Sequence, residues 1–316
     1  MRQGPGRRPA TRRTVGFALG CLLTALTALA VGATARQPPG QTSTATPSPP
    51  PPAPAAVPEV EGGAATGVPA GTALRPYYGN LTITEAGAVY DALDVHGFVT
   101  VLAPDVRISR SVIRGGRATS NRGLIVNNAP EATGLLVEDT ELVPEYPSVW
   151  LDGIVGFNFT ARRIDAHGTV DTAKVYGDNV RIEDSWLHDM TSFPSDPDQG
   201  GGPTHNDGVQ VLGGRNIRIT GNSISGASNA AVQITQDVSA TSDLVLADNR
   251  LDGGGCTVNV AHKVLKTMTG ITVSGNRFGR GTRIADCAII ASAMTDLTAA
   301  GNVWDDSGEP VRIRRG

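Results

Sequence analysis

An all-β solenoid is the fold this sequence predicts, and three observations predict it. An eight-residue unit recurs, beginning at Val106 (VRISRSVI), Leu135 (LLVEDTEL), Phe157 (FNFTARRI), Val180 (VRIEDSWL), Ile217 (IRITGNSI), Leu244 (LVLADNRL), Ile271 (ITVSGNRF) and Leu297 (LTAAGNVW). Each copy is apolar at its first, third and eighth positions, with Ala299 the weakest of these, the alternation of a half-buried strand. Successive copies start 29, 22, 23, 37, 27, 27 and 26 residues apart, a period of stacked coils rather than of a compact sandwich. The third observation is an asparagine at the sixth position of the last four copies: Asn222, Asn249, Asn276 and Asn302. At the bend after a strand, an amide can satisfy turn backbone and bond its counterpart on the next coil.

The segments follow in order. Residues 1–35 have the form of a secretory signal: arginines at 2, 7, 8, 12 and 13, an apolar stretch from Val15 to Val31, and the small-residue exit Ala33-Thr34-Ala35. Residues 36–72 are rich in Pro, Ala and Thr, with an unbroken run from Pro49 to Pro52; such a stretch buries too little apolar surface to fold and predicts a disordered tether. The solenoid domain is assigned to 73–316, with Leu81 to Val95 covering its first turn. The largest excess over a bare coil precedes Ile217 and contains the loop Met190 to Thr204, where function is to be sought.

Removing the signal takes five of the 27 basic residues and leaves 22 against 30 acidic ones, a net charge of −8. That balance excludes nucleic acid as the expected partner. After signal cleavage no membrane span is expected, and the protein is expected outside the cell, in contact with the wall or free, as a monomer. Cys256 and Cys287 each precede a repeat strand and lie 31 residues apart. In an exported chain this predicts a disulfide between neighbouring turns, two buried thiols being the alternative.

A second strand precedes each eight-residue unit. Four of these align as TAKV, GVQV, AVQI and TVNV. If their flanking apolar residues face inward, then Lys174, Gln210, Gln233 and Asn259 form one outward column, and Tyr176 shares the face of Lys174. An amide ladder is the structural alternative for Gln233 and Asn259. Beside the column lie His205 and Asp207 in His205-Asn206-Asp207-Gly208, with His188-Asp189 one turn earlier. Lysine, imidazole and carboxylate together can abstract and return a proton. A lysine base needs a lowered pKa, whereas a histidine needs little adjustment.

These repeats resemble the right-handed parallel β-helix superfamily of pectate lyases, alginate lyases, mannuronan epimerases, polygalacturonases and NosD-like surface proteins, over roughly residues 80–305. The resemblance implies a single-stranded right-handed parallel β-helix with a site on one exposed sheet. It also implies a polysaccharide partner and lyase or C5-epimerase chemistry on an acidic polymer. Lys174 or His205 would be the base, His188 or Tyr176 the donor, and Gln210 the carboxylate contact. Asp207 would orient His205, and Gln233 and Asn259 would line the substrate. Ca²⁺ is the one cofactor such chemistry suggests, with Asp196 and Asp198 as oxygen donors. A non-catalytic glycan-binding module is the first alternative, since aromatic residues make up only 4% of the chain. A glycoside hydrolase is the second; it needs two carboxylates, and the sequence offers Asp207 with Asp189 as a distant second.

Overall fold

The structure, a computed structural model, describes residues 66–262 and 268–316; the leader and nearly all of the tether lie outside the described residues. Within them every named strand pairing is parallel, and the strands stack into two ten-stranded sheets and one nine-stranded sheet. Sheet 1 begins with Arg75–Tyr78, sheet 2 with Leu81–Ile83 and sheet 3 with Val89–Asp91. Each coil passes through sheets 2, 3 and 1 in turn, giving a right-handed parallel β-helix. The core fills the tube: Ala173, Val175, Val209, Val211, Val232, Ile234, Val258 and Val260 are all fully buried, as strand alternation demands.

The eight-residue unit is a bend. Its first half is a sheet 3 strand, such as Ile217–Thr220, and its last residues open a sheet 1 strand, such as Ser223–Ala227. The fifth position turns the corner in the left-handed conformation. Arg110, Asp139, Arg163, Asp184, Gly221, Asp248, Gly275 and Gly301 occupy it, with φ between 48° and 70°. Glycine and aspartate recur there because they tolerate that region best.

One repeat is out of register with the pattern read from sequence. Phe159, not Phe157, pairs with Leu135 and Val180, so that copy begins two residues later. The shift brings Arg163 to the fifth position, and Phe157 packs only partly against the core. The expected cap also differs. Leu81 to Val95 is itself a coil, with strands in all three sheets, because its apolar alternation matches that of the coils above it. Gly67, within the segment assigned to the tether, donates its N–H to the Arg163 carbonyl at 2.9 Å.

Asparagines occupy the sixth position as a continuous ladder. The backbone N–H and Nδ2 of Asn222 both donate to Asn249 Oδ1 at 2.9 Å; Asn249 repeats this on Asn276, and Asn276 on Asn302. Hydroxyls extend it downward, with the Ile164 N–H on Ser185 Oγ at 3.1 Å and the Ser185 N–H on Asn222 Oδ1 at 3.0 Å. Cys256 and Cys287 form a disulfide between adjacent coils with Cα atoms 4.7 Å apart. Among the described residues no helix is long and apolar enough to cross a membrane.

Asn249 is fully buried, so Asn249→Ala strips the acceptor from two donors of Asn222. The expected loss is about 2–4 kcal/mol, since each orphaned buried group costs about 1–3 kcal/mol. Equilibrium urea unfolding measures it, and amide exchange should quicken first in the coils holding Asn222 and Asn276.

Candidate functional site

Sheet 2 carries the outward column. Lys174 pairs with Gln210, Gln210 with Gln233, and Gln233 with Asn259. Below Lys174 the same position holds Val155, and above Asn259 it holds Ile290, so the polar run is four coils long. Gln233 is 8% exposed and its Oε1 is buried with no hydrogen-bond partner.

Three residues before Lys174 on the strand path lies a second, unanticipated ladder. Asp152, Asp171 and Asp207 stand on three consecutive coils. The Asp171 N–H donates to Asp152 Oδ1 at 3.2 Å, and the Asp207 N–H donates to Asp171 Oδ1 at 2.8 Å. The second oxygens of the lower pair grip the lysine: Lys174 Nζ lies 2.9 Å from both Asp152 Oδ2 and Asp171 Oδ2. Asp207 Oδ1 accepts from Asn229 Nδ2 at 2.9 Å, and its Oδ2 accepts from Gln210 Nε2 at 3.3 Å. Glycine follows two of the aspartates because the coils approach closely there. A Cβ on Gly153 would stand 2.2 Å from the Thr172 carbonyl oxygen, and one on Gly208 would stand 2.4 Å from that of Ala231.

Burial sets the protonation of this centre. It raises Asp171 to about 6, with the Asp152 charge adding to the rise and Lys174 opposing it. Burial also raises Asp152, where Lys174 again opposes and Asp196 adds a smaller repulsion. Asp207 is fully buried and goes well above the usual carboxylate range, by desolvation first and by the charge of Asp171 second. Desolvation disfavours the Lys174 ammonium, but Asp171 and Asp152 outweigh it, and its pKa rises. Burial raises the Tyr176 phenol as well, with Lys174 opposing.

Above the ladder lies a groove of about 420 Å³, and its described lining includes five aspartates (152, 171, 196, 198 and 237) and Lys174. His205, Gln210, Asn229 and Gln233 also line it. The long loop closes one side. Asp196 caps its short 3-10 turn Pro197–Gln199 by accepting the Asp198 N–H at 2.8 Å, and Asn121 Nδ2 donates to Asp198 from a lower coil. A larger cleft of about 690 Å³ at the last coils is lined by Arg280, Asp286 and Trp304. There Arg280 is already paired with Asp286 and Asp306.

The structure thus gathers Lys174, Gln210, Gln233 and His205 at one groove and keeps His188 out of it. His188 belongs to sheet 1, in Trp186–His188, and bonds Asp165 and Asp189. Lys174 does not have the lowered pKa a base requires; two carboxylates do the opposite. Asp207 is turned to Asn229 and Gln210, and among the described residues no hydrogen bond joins it to His205, which is exposed. Tyr176 follows the Lys174 strand, its N–H on the Gly156 carbonyl at 3.0 Å. Asp152 and Asp171 were missed from sequence. Their signal was present: LDGIV, VDTAKV and NDGVQV align in the observed register with aspartate at the same place.

The fold is a right-handed parallel β-helix, and a polar groove across consecutive coils is its candidate site. No protein-family model, no curated protein and no solved structure matches the chain.

Lys174→Met leaves Asp152 and Asp171 facing each other without a counter-ion. Stability at pH 7 should fall by about 3–5 kcal/mol, the usual cost of removing one partner of a buried pair. Much of that loss should return at pH 5, below the value of about 6 for Asp171, where a proton replaces the ammonium. In the native protein a raised carboxyl weakens the fold as pH climbs from its unfolded value through about 6, so Asp171→Asn should flatten that part of the stability profile. Urea midpoints across pH 4–8 measure both.

Proposed function

We propose that the sheet 2 groove is the active site of an exported carbohydrate-active enzyme that cleaves a polysaccharide by acid–base chemistry, with carboxyl groups carrying the proton. The observation that carries this reading is the aspartate ladder under Lys174. Asp152 reaches the groove floor with a raised pKa, which suits a general acid. Asp196 faces the same groove from the loop and is near enough to Asp152 to repel it. Two carboxyl groups in unlike environments are what glycosidic hydrolysis asks for. Lys174 and Asp171 tune Asp152 rather than touch the reacting bond. Gln210 and Gln233 offer one amide per coil to a chain lying along the axis.

Among the described residues, Asp152, Asp171, Asp196 and Asp198 face the groove beside Lys174, a balance that favours an uncharged glycan over an acidic one. Lyase or epimerase chemistry on a uronate draws less support from this groove, because the charge of Lys174 is already matched by two carboxylates. It would rest on His205 as base, on Tyr176 as donor, since a raised pKa keeps the phenol protonated, and on Ca²⁺ at Asp196 and Asp198 to shield the substrate. A non-catalytic glycan-binding module is favoured by one observation: Asp152, Asp171 and Asp207 are all buried with both oxygens engaged, as in a structural ladder. Export through residues 1–35, the tether over 36–72 and a monomeric domain complete the proposal; the disulfide fits an oxidising compartment.

The full chain, offered a panel of neutral and uronate polysaccharides, should release reducing ends without the ultraviolet absorbance of an unsaturated product. Asp196→Asn, which leaves Lys174 undisturbed, should lower kcat by about 10²- to 10⁴-fold while glycan binding persists. An absorbing product would instead establish a lyase. Binding without turnover of any polymer would establish the binding module.

A further inference from the structure

Sheet 1 carries a second cluster of titratable side chains that the groove does not use. Asp165 and His167 are two residues apart in the strand Asp165–His167, so they point to the same face. Register places His188 beside His167 on the next coil. His188 Nε2 lies 2.9 Å from Asp165 Oδ1, and one ligand atom from each of the three residues falls within 4.8 Å of the others. Drawing these atoms onto one ion with bonds of about 2.0–2.2 Å needs inward shifts of roughly 1 Å.

The surroundings are built for an ion. Asp189 Oδ2 sits 2.9 Å from His188 Nδ1, the carboxylate–imidazole contact that fixes a tautomer and leaves Nε2 for a metal. Trp186 stacks on the His188 ring at 3.5 Å and holds its plane. Glu141 Oε1 lies 3.1 Å from His167 Nε2 and is the carboxylate partner of that ring. Three carboxylates face two imidazoles here, so the cluster stays negative even with both rings protonated. Among the described residues, the ion pairs of Glu141, Asp165 and Asp189 are with these two histidines alone. Part of Asp165 and of His167 remains open to solvent, which gives an ion a path in.

We propose that Asp165, His167 and His188 bind one first-row divalent transition metal, Zn²⁺ foremost, with Asp189 orienting His188. Two imidazoles and a carboxylate select such an ion over Ca²⁺ or Mg²⁺, which take oxygen donors. The site is on a different sheet from the groove, and its test does not depend on any glycan activity.

The full chain, stripped with chelator, is titrated with Zn²⁺ by calorimetry and with Co²⁺ by visible absorption. One ion per chain is expected, with a Co²⁺ spectrum of nitrogen and oxygen ligation and no displacement by excess Ca²⁺. His167→Gln and His188→Gln should each weaken binding by at least tenfold, and Asp189→Asn by about 10- to 100-fold, as for an outer partner. His96→Gln and His205→Gln should leave it unchanged. No saturable binding by the unaltered chain, or equal affinity in the His167→Gln/His188→Gln double variant, overturns the proposal. The Co²⁺ spectrum of the unaltered chain decides the matter even if a variant fails to fold.

Discussion

Parallel, in-register stacking is the constraint on which this molecule is built. Each residue lies about 4.8 Å from its counterpart on the next coil, the spacing of hydrogen-bonded strands. Like is therefore forced to sit on like wherever the repeat is faithful. An asparagine column gains from this, because every side chain is both donor and acceptor, and Asn222 to Asn302 close a ladder with donors and acceptors matched. A column of like charges cannot do the same. It must find its compensation sideways, from a neighbouring position on the strand or from something that is not protein.

Both solutions are present. Glu138 is buried on sheet 3 and is met by Arg107, Arg162 and Arg163 from the coils on either side. Asp152 and Asp171 take Lys174 from their own sheet, three residues further along the path. That lysine matches one carboxylate of three, and burial raises the pKa of each of them. The charge of the groove floor therefore depends on desolvation as well as on the lysine. Among the described residues, the same arithmetic at Glu141, Asp165 and Asp189 has only imidazoles to call on. Excess negative charge in a stack is where a solenoid has room for a proton, a cation or a polar ligand.

How much of this could be read from the chain follows from the two periods involved. Strand alternation and coil length are local properties, and they placed Lys174, Gln210, Gln233 and Asn259 in one column and Cys256 beside Cys287. Register slipped where an aromatic pair, Phe157 and Phe159, offered two equally apolar starts; only the left-handed residue at the fifth position tells them apart. His188 lies two corners along the coil from Lys174, on sheet 1 rather than sheet 2, and that change of sheet, not its distance along the sequence, removes it from the groove. The sign of the lysine's shift was beyond any local pattern. It depends on two aspartates, one on the same coil and one on the coil below, and on how completely water is excluded from both.

The long insertion follows from the same geometry. It enters between Asp171 and Asp207, the one step of the ladder that spans 36 residues, and its base is closed by Phe193 and Thr204 with bonds of 2.9 and 3.0 Å. Its tip adds Asp196 and Asp198 to a groove already rich in carboxylates, and Asn121 fastens that tip to a coil below. Asp196 caps the loop's own turn and Asp198 is held by Asn121, yet both carry charge toward like charge, and repulsion opposes that placement. Its acidic tip makes sense if the groove works by placing carboxyl groups on opposite sides of a ligand. A ligand held in that way would bring hydroxyls or a cation rather than further negative charge.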